Sequence, residues 1–233
     1  MTMAGKIVCA AAVFGLAGVF GLETRGEEMP YGKVRGFLSE HTRVVELSGE
    51  RGARVAVCPE WQGRVMTSTC GGDDGPSFGF VNRSFIEAGK LDPRFNNYGA
   101  EDRMWLSPEA GRFSLWFAPG EEQTLSNWCT PPALNEGPCE VTSAAGDASC
   151  RMSRRMKLRN ASAAQFDLAV TREVRLLGGE DLERLFGRAA GPMLAGGVRR
   201  VAYETVNSIR NCGPDMNRDD GMVSIWVLGM LNA

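Results

Sequence analysis

Two alternating runs, Cys150–Arg159 and Gln165–Leu177, joined by the residues NASA, restrict this chain more than any other feature. In QFDLAVTREVRLL, Phe166, Leu168 and Val170 share one parity with polar or small residues between them. That is the period of two expected of a strand with one buried face. Two such runs across so short a connection make an antiparallel hairpin. A second hairpin is expected in RGARVAVCPEWQGRVMTSTCGG. There Ala53, Val55 and Val57 alternate, Pro59–Gly63 turns the chain, and Val65, Thr67 and Thr69 alternate on the way out. A third is expected from Met104–Leu106 and Arg112–Phe117 across SPEAG, and Val198–Asn211 and Met222–Leu228 read as further strands.

Helical signals are short. One lies around Gly36–Thr42, another near Asn82–Ala88, and GEDLERLFG places Leu182, Leu185 and Phe186 on one helical face. Residues 71–100 otherwise read as a long loop, the kind that in a compact domain is usually functional or disordered. The 29 glycines fall largely between short apolar runs, as in a turn-rich β protein. With no βαβ rhythm and no short repeat, the expected fold is mainly β: an antiparallel sandwich with one or two short helices.

The first 22 residues differ in kind from the rest. MTMAGK precedes the apolar run Ile7–Leu22, which is shorter than the roughly 20 residues of a comfortable membrane span and reads as a secretory signal or an uncleaved anchor. Residues 23–233 then form the domain, in the periplasm or outside the cell. Export permits disulfides among Cys58, Cys70, Cys129, Cys139, Cys150 and Cys212, though no pairing follows from spacing and buried free thiols fit as well. A formal net charge of −2 with 23% charged residues gives no basic excess for nucleic acid and no polybasic run for an anionic membrane.

Much familiar chemistry is missing. His41 is the single histidine, so no imidazole pair can hold a metal, and the phosphate loop and nucleophile elbow are absent. No cofactor and no metal site are expected; NRDDG, Asn217–Gly221, lacks the spacing of a calcium loop and reads as a solvated turn. Carboxylates remain as acid or base candidates: Glu101, Glu109 and the mid-strand Glu204. Glu204 has the alternative of a salt bridge to Arg199, Arg200 or Arg210. For ligand binding, Arg64 and Arg103 suit sugar hydroxyls or carboxylates, unless they pair with Glu60, Glu101 or Glu109. Trp61 and Trp105 suit stacking on a pyranose, unless they only pack, and Asn207 in VAYETVN completes the set.

Several stretches carry a resemblance. ARVAVCPEWQGRVMTST resembles the opening hairpin of galactose-mutarotase-like domains, with Gln62 in place of a glycine, and NASAAQFDLAVTREVRLL resembles one of their later hairpins. GAEDRMWLSPEAGRFSLWF and VAYETVNSIRNCG…GMVSIWVLGML are similar to DUF6786, a family of uncharacterised exported bacterial proteins. The resemblance implies a β-supersandwich, and it implies a chain cut short at its C-terminus, since such proteins are commonly longer. It also implies a sugar-binding face, while the mutarotase histidine is missing from the middle strands. The expected role is therefore carbohydrate binding, with a carboxylate-dependent sugar enzyme or a structural envelope protein as alternatives. These separate on whether the carboxylates face another titratable group across a cleft of roughly 5–10 Å.

Overall fold

The computed structural model describes residues 29–146 and 148–232. The expected signal or anchor lies outside them. Tyr31–His41 forms helix α1, whose Tyr31, Val34, Phe37 and Leu38 recur at helical spacing and are buried. Val45–Ser48 (β1), Arg54–Cys58 (β2) and Arg64–Thr69 (β3) then make an antiparallel sheet in the order β1-β2-β3, with a bulge at Ala56/Val57. The β2–β3 hairpin is the one legible in the sequence. α1 covers one face of it, packing on Ala56, Cys58 and Met66.

Helix α2, Arg83–Ala88, interrupts the long loop, and the Asn82 side chain caps it by accepting from Phe85 N at 3.3 Å. Strand β4, Arg103–Ser107, follows. Its expected partner, Arg112–Phe117, is not a strand. Instead β4 pairs antiparallel with the last strand, and 108–114 folds into a turn closed by Leu115 N donating to Pro108 O at 2.9 Å. Leu115, Trp116 and Phe117 are all buried in succession, which a half-exposed strand would not allow.

After the short helix α3, Pro132–Asn135, come Glu140–Ala145 (β5), Ser149–Arg159 (β6) and Gln165–Leu176 (β7). Gly179–Phe186 (α4) and Ala190–Leu194 (α5) lead to Tyr203–Asn211 (β8) and Ser224–Leu228 (β9). The second sheet runs β5-β6-β7-β8, and the β6–β7 hairpin is in register from Ser149↔Arg175 to Arg159↔Gln165. Val198–Ala202, expected as strand, lies outside β8. Leu47, Val55, Val57 and Val65 of the first sheet bury against Cys150, Met152, Val174 and Tyr203 of the second. A larger core joins Met104, Leu106 and Trp116 to Leu158, Phe166, Leu168 and Val170.

Two expectations are corrected here. The fold is mixed, with 21% helix and 35% strand, rather than a β-sandwich carrying one or two short helices. No sheet among the described residues is closed or strongly curled, so the β-supersandwich is not the architecture. The reason is visible in α1 and in the helical run Gly179–Leu194. α1 covers a face of the first sheet, and the helical run packs on Leu177 and Ala202 in the connection between β7 and β8, where a supersandwich would continue in strands. All six described cysteines are free.

Candidate functional site

Chemistry concentrates where β3 meets the start of β4. Val65 and Asp102 exchange backbone hydrogen bonds, Val65 N to Asp102 O at 3.0 Å and Asp102 N to Val65 O at 3.1 Å, so this bridge links the β1-β2-β3 and β4-β9 ladders. Side chains alternate across it. Asp102 points to the second sheet, where the buried Arg172 of β7 meets it as an ion pair. Arg172 also donates from Nε to Gly63 O at 2.8 Å and from Nη1 to Asn207 Oδ1 at 2.7 Å. Thr205 Oγ1 donates to Asp102 Oδ2 at 3.3 Å, and Asn207 Nδ2 to Thr205 Oγ1 at 3.3 Å. Every nitrogen of Arg172 and both oxygens of Asp102 have partners.

One residue further along the same ladder, Arg64 and Arg103 stand as cross-strand neighbours on the opposite face. Both are buried, at 1% and 4% exposure. Arg64 donates to neutral acceptors only, each of its nitrogens having one: Gln62 Oε1 from Nε at 3.2 Å and from Nη2 at 2.8 Å, Gly99 O from Nη1 at 3.1 Å, and Asn96 O from Nη2 at 3.5 Å. Nε and Nη1 of Arg103 have no partner. Its guanidinium lies over Trp105 at 4.1 Å and Phe95 at 4.9 Å, while that of Arg64 lies 5.1 Å from the Tyr98 ring. Burial lowers Arg64 to about 9, with Arg103 the next cause, and burial lowers Arg103 to about 10.

Trp61 stacks on Tyr98, centroids 4.4 Å apart. The structure thus gathers four of the five expected ligand residues, Trp61 and Arg64 through Tyr98, and Arg103 with Trp105. Asn207 belongs to the Arg172 network across the sheet. Trp105 is a core side chain, 5.2 Å from Trp116 and 5.7 Å from Trp226. None of the expected carboxylate partners reaches either arginine. Glu60 accepts from Thr42 Oγ1 and Arg43 N, and Glu109 from Trp128 Nε1 at 2.7 Å.

Glu101 is buried, accepting from Ser68 Oγ at 2.7 Å and Tyr203 Oη at 3.2 Å, and its Oε2 has no partner. Desolvation outweighs those hydrogen bonds and raises it to about 7. Glu204 is on the outward parity of β8 and pairs with Arg175, whose Nε donates to Oε1 at 2.8 Å; the expected partners Arg199, Arg200 and Arg210 are not used. Exposed His41 ends α1 beside Phe37 O, and Asn217 Oδ1 closes the NRDDG turn by accepting from Asp219 N and Asp220 N.

An open groove of about 690 Å³ has Trp116 of the tryptophan cluster in its lining. Leu115–Pro119 and Cys129–Ala133 form one wall, joined by Cys129 N donating to Trp116 O at 3.1 Å, and Lys157–Arg159 with Gln165 form the other. Trp116 Nε1 and Thr130 Oγ1, both buried in side chains that line it, have no partner. Lys157, Arg159, Gln165, Glu121 and Asn127 are exposed at its edges.

Sequence reading missed Arg172, Tyr203 and this groove. Arg172 left a signal, a charge on the same parity as Leu168 and Val170. The groove left none beyond the run SLWF and the prolines at 131 and 132, because the wall that faces β6 is mostly irregular backbone without a period.

Residues 29–233 match the Family of unknown function (DUF6786). No curated protein and no solved structure matches the chain. No helix among the described residues is long and apolar enough to cross a membrane.

Proposed function

This chain belongs to the DUF6786 family of unknown function, and we propose that it binds a saccharide in the groove between Leu115–Ala133 and the end of β6. The carrying observation is an open site of about 690 Å³ in which an apolar floor is edged by the exposed polar side chains of Lys157, Arg159 and Gln165. That volume is within the range of ligand pockets, about 300–1,000 Å³. Its apolar floor of Leu115, Phe117 and Leu158 suits the C–H face of a sugar ring. The ammonium, guanidinium and amide groups of Lys157, Arg159 and Gln165 suit its hydroxyls.

Binding rather than turnover is supported by where the carboxylates lie. Glu101, Glu109 and Glu204 are each engaged by other side chains and none lines the groove; Glu121 at its edge stands without a second carboxylate in the lining, where glycoside cleavage uses a pair. Titration calorimetry of the chain against neutral and acidic oligosaccharides tests the reading. A saccharide that binds is expected to lose about tenfold in affinity when Lys157→Ala or Gln165→Ala removes one polar contact. If no oligosaccharide binds, or if binding survives both substitutions unchanged, the groove is not a saccharide site.

A further inference from the structure

The charges around β3 and β4 do not balance on one face of the sheet. Arg64 and Arg103 are adjacent, both almost wholly buried, and neither forms an ion pair among the described residues. Two like charges out of water repel each other and each carries a desolvation cost. Charge cannot be shed by deprotonation, because even values lowered to about 9 and about 10 leave both groups protonated at neutral pH.

The nearby groups do not neutralise them either. Cys58 and Tyr98 are the anions-in-waiting beside Arg64, and burial raises both, which keeps the thiol and the phenol uncharged. Asp102 is on the other face, bound by Arg172 and Thr205. Glu101 is held by Ser68 and Tyr203. The Phe95 and Trp105 rings offset part of the charge on Arg103, but an aromatic face gives Nε and Nη1 no acceptor.

From this we infer that the Arg64–Arg103 pair is the binding site of a small anion, of carboxylate or inorganic oxyanion size, enclosed by the loop 89–99. The loop packs against both arginines. Gly99 O and Asn96 O accept from Arg64, and the Phe95 ring lies against Arg103. The loop is anchored from behind by Asn96 Nδ2 donating to Asn135 O at 3.1 Å and by Thr130 N donating to Arg94 O at 2.9 Å. An anion here would give Arg103 the acceptor it lacks and screen the two guanidinium groups from each other. The site is distinct from the groove and does not depend on a saccharide.

The test is thermal unfolding of the intact chain in sodium acetate, chloride, sulfate and phosphate at one ionic strength, beside Arg103→Met and Arg103→Lys. The wild-type midpoint is expected to rise saturably with at least one anion, by about 5 °C from trace to saturating concentration. Arg103→Met is expected to lose that response and to melt no lower than wild type in anion-poor buffer. Ion chromatography of supernatant from the desalted, heat-denatured wild type gives a second reading, expected to show a stoichiometric anion that the Met variant lacks. A free acid from the cell in place of an inorganic ion would appear in the same chromatogram and identifies the source. Equal midpoints in all four salts together with no released anion would overturn the site, as would an unchanged response in Arg103→Met. If Arg103→Met does not fold, Arg103→Lys and the released-anion measurement decide between the same outcomes.

Discussion

Arg172 and Arg103 are buried on opposite faces of the junction between β3 and β4, yet they live under different rules. Arg172 is buried against a carboxylate, a carbonyl and an amide that satisfy every nitrogen. Arg103 is buried against two aromatic rings with two nitrogens unsatisfied, facing a second arginine. The first arrangement is what a fold needs in order to keep a charge inside. The second is complete only when something outside the chain takes part. The two sites have equally little exposure, so burial does not distinguish a structural arginine from a binding one. The partners do.

The strongest way to break this contrast is to remove Arg172. Arg172→Met leaves Asp102 buried without its cation, and urea unfolding should register a loss of about 3–5 kcal/mol. A loss under about 1 kcal/mol would put Arg172 in the same class as Arg103 and erase the distinction.

Next comes Glu101, which lies beside the junction with one oxygen unpartnered. Its value in the fold, about 7, is above the 4.5 of a free glutamate. Between those values the folded chain keeps a proton that the unfolded chain has released, so stability is fully present at low pH, falls as pH rises through the window, and is level above it. The whole effect is on the order of 3 kcal/mol. Unfolding of wild type and Glu101→Gln at about pH 5 and about pH 8 should show the fall only in wild type. An equal pH dependence in both proteins would place the titration elsewhere.

The smallest effect is expected at Glu204, on the outward face of β8. Its partner Arg175 is partly exposed, so Glu204→Gln should cost no more than about 1 kcal/mol by the same denaturant measurement. A cost comparable to that of Arg172→Met would mean that exposure at this pair does not weaken it as argued.

How far the sequence showed these things depends on whether a signal was local. β2–β3 and β6–β7 were legible because each hairpin carries its own alternation and a short connection, and ladder and turn agree. The pairing of Met104–Leu106 with Arg112–Phe117 was expected on the same grounds and is wrong. β4 takes Ser224–Leu228 instead, more than a hundred residues away, and a preference for near partners cannot see that choice. Helix α1 was partly legible, starting earlier than its sequence signal. Arg64, Arg103, Trp61 and Trp105 were named from residue type alone and do converge. Asn207, named with them, is on the far side of the sheet because β8 packs the other face.

By itself the sequence determined the strand periods, the two local hairpins and the presence of arginines and aromatics in segments able to meet. Those follow from side-chain spacing and turn chemistry, which are properties of neighbours along the chain. The tertiary structure decided that helices cover part of what strands were expected to cover, and that irregular segments leave a groove beside β6. It also decided which arginine received a carboxylate. The bridge between Val65 and Asp102 fixes that division, because alternation across it sends Asp102 to one face and Arg103 to the other.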